Sequence, residues 1–584
     1  MAFGYLHLRL LVLAAAIAVA VAANFDDCIN RIHQMPNTTV GGTDNRGNPM
    51  IITNATAITY DLCVQECGAD PEPFAWPVFS QQFSAWLLPW LALISQLPFG
   101  ANDKMDNLQS MLLSIGSPVL AAYALVLTTL NGRWITKRFF PFKNHPNAYR
   151  AVRVLSSLQQ APLRLTDDHS LLVALVTLRA NRHWWGELLT WLNLTHSWSI
   201  SAATSIAWVF IAYIFTVVDS FTGGVTQMVN ANGQGVGSIW LWLLAIVVAW
   251  LQISPKCDSE HLHRAMNRAN KFGGVPNGKR RMATDTEPAM YLSSDLSTLR
   301  CDESRSPPIF NYARLFSWVQ SVEQVAEAFE PSNALLRGTP SPSEIESHRR
   351  EDSDATEMNT FLGASLRHRS DSKSESSMAV DVTAHSIHLS SEMVGKRSRW
   401  GEGTWRRIVV SGCVALFLQW GTTGAAVVVV WYTPTTGLGC RSAAYLLYGI
   451  ISTLVWMAML ISSILSHYSV TSKSKRAPSA RIAAWFAIAL RRLGKFTAAC
   501  NGIGLVITCL FQFSNFFDRC YCNSSVLYWG SRAYNVISFQ PEDVVFMRSA
   551  WIGGVFLAAG STILFFIFIN LFINPPFPTH EDDD

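Results

Sequence analysis

Residues Ile408–Trp431 read IVVSGCVALFLQWGTTGAAVVVVW, a run with no charged side chain anywhere along it. A helix rises about 1.5 Å per residue, so such a run crosses a hydrocarbon core about 30 Å thick with its backbone hydrogen bonds closed internally. Six further stretches meet the same test well or nearly: Gln109–Leu130, Trp198–Val218, Val236–Ile253, Ala443–Leu465, Phe496–Phe516 and Ala550–Ile573. An eighth, Phe83–Phe99, is weaker because it holds Pro89 and Gln96 and closes at Pro98. The chain has 584 residues, 49% hydrophobic and only 15% charged, where soluble domains carry about a quarter charged residues. The pattern predicts an all-α fold, a multipass transmembrane helix bundle of about seven spans.

The basic residues set the orientation, because Lys and Arg collect on the cytosolic flanks of spans. Arg133, Lys137, Arg138, Lys143, Arg150, Arg153 and Arg164 follow the first span. Lys256, Arg264, Arg268 and Lys279-Arg280-Arg281 follow the third; Lys396, Arg397, Arg399, Arg406 and Arg407 precede the fourth. Lys473, Lys475, Arg476, Arg481, Arg491, Arg492 and Lys495 follow the fifth. Residues 1–23 read as a signal peptide, with Arg9, the apolar Leu10–Val21 and the small-x-small Ala20-Val21-Ala22. With the mature N-terminus outside, all four clusters fall in the cytosol only if Phe83–Phe99 does not cross. It is therefore expected as an interfacial or re-entrant helix, with Trp86 and Trp90 at headgroup depth. The chain divides into a lumenal or extracellular segment (24–82), a first membrane region (83–253), a cytosolic loop (254–406), a second membrane region (407–573) and a cytosolic tail (574–584).

Two further patterns agree with that topology. Sequons at Asn37, Asn54 and Asn523 fall on the outer face, where they are candidate glycosylation sites, whereas Asn193 falls inside and should stay bare. Cys28, Cys63, Cys67, Cys440, Cys520 and Cys522 all fall outside, an even number in an oxidising compartment. Six cysteines allow 15 connectivities. Cys520 and Cys522 are too close to pair comfortably, so each is expected to staple a different partner.

The span interiors hold no ionisable residue. Gln419, Asn501 and Gln512 are the buried polar groups, read as interhelical hydrogen-bonding glue. Gly421 with Ala425, and Gly554 with Ala558, make four-apart notches for close helix packing. Trp184, Trp185, Trp191 and Trp198 are expected on the cytosolic interface, and Ile482–Leu490 as a surface helix or the foot of the sixth span.

The 254–406 loop is rich in Ser, Asp, Glu and Arg, contains Pro307-Pro308 and Thr339-Pro340-Ser341-Pro342, and is expected to be largely disordered. The exception is Ile309–Phe329, where apolar residues recur at three- and four-residue steps. That face would lie on the membrane, dock a cytosolic protein partner, or pack on the chain's own core. Ser306, Thr339, Ser341 and Ser353 are candidate phosphorylation sites, and Cys257 a candidate lipidation site.

No Gly-x-Ser-x-Gly, P-loop, His-Glu-x-x-His or dinucleotide fingerprint is present, and His261 and His263 read as part of a solvated loop rather than a metal site. The catalytic, cofactor-binding and metal assignments are therefore none, and the net charge of +4 suggests no nucleic acid. Seven spans with the N-terminus outside match G-protein-coupled receptors in architecture alone: Asn574-Pro575-Pro576-Phe577-Pro578 lacks their tyrosine, and Ile253-Ser254-Pro255 stands where their Asp/Glu-Arg-Tyr would be. Leu130-Asn131-Gly132-Arg133-Trp134 and Trp198–Trp208 resemble segments of uncharacterised multipass membrane proteins of filamentous fungi, mainly over residues 60–255. That resemblance implies no activity. The expected partner is the lipid bilayer, in the plasma membrane or a secretory-pathway endomembrane. The expected role is a sensor, adaptor or scaffold with a phosphorylatable loop; a transporter or channel for a neutral or apolar solute and an integral membrane enzyme are the alternatives.

Overall fold

The computed structural model describes residues 40–97, 104–166, 169–178, 181–192, 199–222, 233–253, 259–272, 288–293, 309–338, 400–471 and 478–573, with Cys28, residues 30–32 and Gln34. The chain begins with β1 (Gly42–Thr43), β2 (Ala57–Thr59), α1 (Tyr60–Cys67), α2 (Trp76–Gln82) and α3 (Leu88–Ile94), the last two joined through a π-helical turn. Next come α4 (Lys104–Gly116), α5 (Pro118–Phe139), α6 (Ala148–Ser157), β3 (Leu163–Leu165), α7 (His169–Thr177) and α8 (Arg182–Leu192). Then follow α9 (Ile200–Thr222), α10 (Gly233–Ile253), α11 (Ser259–Asn270), β4 (Met290–Leu292) and α12 (Leu315–Gly338). The last elements are α13 (Thr404–Trp431), α14 (Cys440–Thr471), α15 (Pro478–Phe513), β5 (Tyr534–Val536) and α16 (Pro541–Phe572).

Among the described residues, six helices, α9, α10, α13, α14, α15 and α16, are long and apolar enough to cross a membrane; the bent pair α4–α5 makes seven if counted as one span. Their outward faces are apolar: Phe215 on α9, Leu454 on α14, Phe496 on α15 and Phe556 on α16 are all exposed. A protein surface of this kind is satisfied by hydrocarbon rather than water. At the centre stands α5, whose residues Pro118–Thr129 are all buried, packed chiefly on α13 and flanked by α10, α14 and α16.

The small-residue notches lie on the α13–α16 contact. Gly421 sits against Ser561, and Gly554 against Val429 and the Ala425 carbonyl. A Cβ at Gly554 would fall 2.6 Å from Val429 Cγ2, so glycine is what lets these two axes approach. The α14–α15 hairpin is longer than a membrane is thick. At 32 and 36 residues its helices run about 48 and 54 Å. Ile482–Leu490 is therefore the protruding foot of α15.

At one end the molecule is closed by disulfides. Cys28 pairs with Cys67, Cys63 with Cys520 and Cys440 with Cys522, with Cα–Cα distances of 5.1, 5.8 and 5.0 Å. A three-stranded antiparallel sheet ordered β1-β2-β5 joins the N-terminal segment to the segment before α16, with Ala57 opposite Val536. The capping box of α16, in which Gln540 and Asp543 exchange bonds, and the acids Glu542 and Asp543 in its first turn fix where that helix starts.

The opposite, arginine-rich end holds more structure than the composition of its loops suggests. β4 pairs with β3, Leu163 opposite Leu292, so residues 288–293 form part of a sheet. The residues expected in a solvated loop around His261 and His263 instead form α11. This helix packs on α8 through a Trp184 Nε1 bond to Asn270 Oδ1 (3.0 Å) and a His261 Nε2 bond to the Trp191 carbonyl (2.9 Å). Trp184 and Trp185 are core residues, 1% and 0% exposed, rather than interfacial anchors. The amphipathic segment Ile309–Phe329 packs on the chain's own core: Tyr312, Val319, Val322 and Phe329 are buried, and Trp318 Nε1 donates to the Leu155 carbonyl at 3.0 Å. Burial against neighbours remote in sequence stabilises these amphipathic helices, which none would sustain alone. Residues 339–399, expected to be disordered, lie outside the described residues.

Two membrane assignments also change. Gln109–Leu130 is not one helix; it breaks between α4 and α5. The Phe83–Phe99 segment continues a helix begun at Trp76, and Trp86 and Trp90 are buried, with Trp90 stacked 6.5 Å from Trp240 of α10 rather than set among headgroups.

Replacing Gly554 by Val is expected to lower stability by about 1–3 kcal/mol, the usual cost of overpacking. Gly553→Ala, where nothing lies within 4 Å of an added Cβ, should be neutral or stabilising; melting of the detergent-solubilised protein measures both. A pH effect follows from His145, buried against Phe329 with ring centroids 4.9 Å apart. Burial, assisted by Arg182, lowers its pKa from 6.5 to about 4. The unfolded chain therefore binds the proton first as pH falls. The stability this burial carries is intact above pH 6.5 and is lost from there down toward pH 4. The melting temperature of His145→Phe should fall less steeply than wild type over that window.

Candidate functional site

The most unusual feature of the bundle is the break between α4 and α5, where the chain bends by 104° at Ser117. Ser117 caps the new helix, its hydroxyl accepting from Leu120 N at 3.3 Å, and Pro118 supplies a first-turn residue that has no N–H to satisfy. Lys137 and Arg138 close the far end, where cations suit the helix dipole.

Breaking a helix inside a bundle frees carbonyls that water does not reach, and each must find a donor. Tyr448 Oη donates to the Ile115 carbonyl at 2.7 Å. Asn501 Nδ2 donates to the Gly116 carbonyl at 2.8 Å and to the Tyr448 carbonyl at 3.2 Å. Ser117 Oγ donates to the Ser452 carbonyl at 2.8 Å. Ser117, Ser452, Tyr448 and Asn501 are all buried. Gly116 permits the contact, because a Cβ there would overlap the Ala498 carbonyl, and Gly502 opposite lies against Gly116 N and the Leu112 carbonyl. The break is thus a neutral, hydrogen-bonded joint between α4, α14 and α15.

A second polar junction lies where α12 enters the arginine-rich end. Thr128 Oγ1 accepts from Gln160 Nε2 (3.2 Å) and Asn311 Nδ2 (2.9 Å), and the Thr128 carbonyl accepts from Gln159 Nε2 (3.4 Å). The side-chain oxygens of Asn131, Gln159, Gln160 and Asn311 are buried without a protein donor. Ser463 Oγ donates to the Tyr312 carbonyl at 2.6 Å. Neutral amides hook the start of this segment into the bundle, and further along α12 Glu330 meets Arg138 of α5 at 4.0 Å.

The three amides singled out in the sequence do not form one site. Asn501 belongs to the joint, Gln419 bonds Thr423 of its own helix at 2.6 Å, and Gln512 is buried without a partner. None of them lines either of two cavities: one of about 50 Å³ between the disulfide-end loops, and a lateral groove of about 420 Å³ between α4 and α15. Asn54 is exposed; Asn523 is half-buried and borders the smaller cavity, and Ser525 of its sequon bonds the Thr435 carbonyl at 2.9 Å. Asn37, Asn193, Cys257, Ser306, Thr339, Ser341 and Ser353 lie outside the described residues. Among the described residues, one group of three metal-capable donors is close together, Cys63, Cys67 and Cys520, and all three sulfurs are already in disulfides. Sequence reasoning missed Ser117, Tyr448, Ser452, Thr128, Gln159, Gln160 and Asn311. Only Ser117-Pro118, a cap followed by a first-turn proline, carried a local signal.

No family model matches this chain, and neither the curated proteins nor the solved structures contain a match to it. The class these findings define is a helical membrane-embedded protein.

Asn501→Leu leaves the Gly116 carbonyl without its donor, while the Tyr448 carbonyl keeps its helical N–H, and is expected to cost about 1–3 kcal/mol. Tyr448→Phe should cost the same order for the single Ile115 carbonyl. Melting in detergent checks both, and a loss confined to within about 0.5 kcal/mol of wild type would show that the joint is not structural.

Proposed function

We propose that this chain is a membrane sensor, adaptor or scaffold that signals through the segment between α12 and α13. Its disulfide-bearing end faces the lumen or exterior and its arginine-rich end the cytosol. The observation that carries the reading is the seating of α12: Asn311 on Thr128 of α5, Tyr312 on Ser463 of α14 and Trp318 on Leu155. Residues 339–399 leave directly from that helix, and Trp400 returns to pack on Phe316 with ring centroids 5.4 Å apart. Both ends of a serine- and acid-rich segment are therefore anchored to the bundle. Phosphate there adds negative charge next to the C-terminal end of α12, and a partner bound there loads the same helix. The fungal membrane proteins it resembles add no activity to this reading.

A second reading, passage of a neutral or apolar solute, draws on the broken helix, since broken helices recur at substrate sites of transporters. The donors from Tyr448 and Asn501 that close the break weigh against it.

Two measurements test the proposal. Replacing residues 340–395 by a Gly/Ser linker of equal length should leave insertion and melting unchanged while abolishing recovery of cytosolic partners from cross-linked membranes. Unchanged recovery would falsify the signalling reading. For orientation, Asn54→Gln should remove a glycan and Asn193→Gln should not; the reverse outcome inverts the topology.

A further inference from the structure

The two disulfides that hold α1 lie against each other. Cys63 and Cys67 stand one turn apart on α1, and the sulfurs of Cys63, Cys67 and Cys520 all lie within 4.8 Å of one another. Cys67 is nevertheless bonded to Cys28, and Cys63 to Cys520. A thiolate at Cys67 would therefore already stand beside the Cys63–Cys520 bond. The four cysteines differ in access: Cys67 is 7% exposed, whereas Cys28, Cys63 and Cys520 are sealed at 0%. Their polar surroundings differ as well. Asn535 of β5, held opposite Ile58 of β2, donates Nδ2–H to the Cys63 sulfur at 3.7 Å. This bond lies in the buried cluster that the four cysteines form with Ile32, Ile52 and Ile58.

We infer that this pair is a thiol–disulfide exchange relay, in which a dithiol reductant opens Cys28–Cys67 and the freed Cys67 takes Cys520 from Cys63. Entry is at the accessible sulfur. One thiolate of the dithiol attacks Cys67 Sγ, the Cys28–Cys67 bond breaks, and Cys28 leaves as a thiolate. The second sulfur of the dithiol then attacks the first, closing the oxidised reductant as a disulfide and releasing Cys67 as a thiolate. Two electrons have passed from the dithiol to the cysteine pair. Cys67 Sγ next attacks Cys520 Sγ, the Cys63–Cys520 bond breaks, and Cys63 leaves as a thiolate, with no further electrons exchanged. The two protons of the dithiol end on Cys28 and Cys63. Direction comes from Asn535, because a hydrogen bond to a charged atom is stronger than one to a neutral atom, and a stabilised thiolate leaves faster. Cys67 is the last residue of α1 and Cys63 lies a turn nearer its start, so the helix dipole favours negative charge on Cys63 over Cys67. The product keeps the segment before α16 tied to α1, one turn or about 5.4 Å further along it, while the chain at Cys28 loses its covalent anchor. The relay needs only the disulfide pairing, and stands independently of the signalling reading and of the orientation of the chain.

The test treats the full chain in detergent with limiting dithiothreitol, quenches with acid, alkylates free thiols and maps the disulfides by mass spectrometry. Cleavage after Glu66 and after Tyr521 separates Cys63 from Cys67 and Cys520 from Cys522. Wild type should lose Cys28–Cys67 first and then yield a Cys67–Cys520 peptide, with alkyl groups on Cys28 and Cys63. Cys28→Ser, which leaves Cys67 unpaired from the start, should contain both Cys63–Cys520 and Cys67–Cys520 with no reductant added. Asn535→Leu should slow formation of Cys67–Cys520 by roughly ten-fold, the factor one hydrogen bond to a charged atom carries, while Cys28–Cys67 opens at the wild-type rate. A general loosening of the disulfide end would speed both steps instead, and would overturn the role of Asn535. Wild type in which Cys28–Cys67 opens while Cys67 is alkylated and Cys63–Cys520 persists, or in which Cys63–Cys520 opens first, overturns the relay.

Discussion

Everything in this structure answers to one constraint: a backbone polar group at membrane depth must be bonded within the protein. The straight helices obey it internally. The break at Gly116-Ser117 does not, and its neighbours are chosen to compensate. Tyr448 and Asn501 reach the carbonyls at the end of α4, and Ser117 caps the start of α5. Those donors lie on α14 and α15, so the break ties the central helix α5 to the long hairpin beside it. Glycines at 116 and 502 bring the helices close enough for the short amide of Asn501 to serve two carbonyls at once.

The same logic explains which parts were legible in the sequence. Long uncharged runs have a single stable solution in a bilayer, so Trp198–Val218, Val236–Ile253 and the four spans after residue 400 each mark one of α9, α10, α13, α14, α15 and α16, although α15 and α16 begin well before the runs at Phe496 and Ala550, at Pro478 and Pro541. The Gly421 and Gly554 notches were equally readable, because close approach leaves a compositional mark on one helix face. Gln109–Leu130 was misleading for the converse reason. A hydropathy window sees only that Ser117-Pro118 is uncharged, whereas the geometry depends on a serine cap and a proline with no N–H. The donors that make the break tolerable come from residues more than 300 positions away, and no local pattern carries them.

The arginine-rich end was hidden by averaging. Its ordered pieces are α11 and β4, which are short, and α12, which has 24 residues; all lie in a segment dominated by Ser, Asp, Glu and Arg. Each looks unable to bury enough surface by itself and does so against neighbours distant in sequence: α11 on α8, β4 on β3, and α12 on α7 and β3. Trp184 and Trp185 show the ambiguity plainly. A tryptophan near a span serves a headgroup layer or a protein core equally well, and here distant neighbours decide it: Asn270 of α11 for Trp184 and the Leu175 carbonyl of α7 for Trp185. The Ile309–Phe329 face carried three possible destinations, and the buried side of α12 selects one.

A crowded cationic end needs neutralising, and here aromatic faces do much of it. The Arg407 guanidinium lies 4.1 Å from the Trp134 ring centroid, Arg268 is 4.5 Å from Trp191, and Arg133 is 4.6 Å from Phe572. A guanidinium over an aromatic ring keeps its charge at modest desolvation cost and needs no carboxylate in a boundary layer where carboxylates are expensive. Arg268 also meets Glu187 at 3.3 Å, an ion pair whose arginine is half exposed and whose carboxylate is mostly covered. Two of these three rings are tryptophans, Trp134 and Trp191, so part of the tryptophan content near the spans serves the arginines.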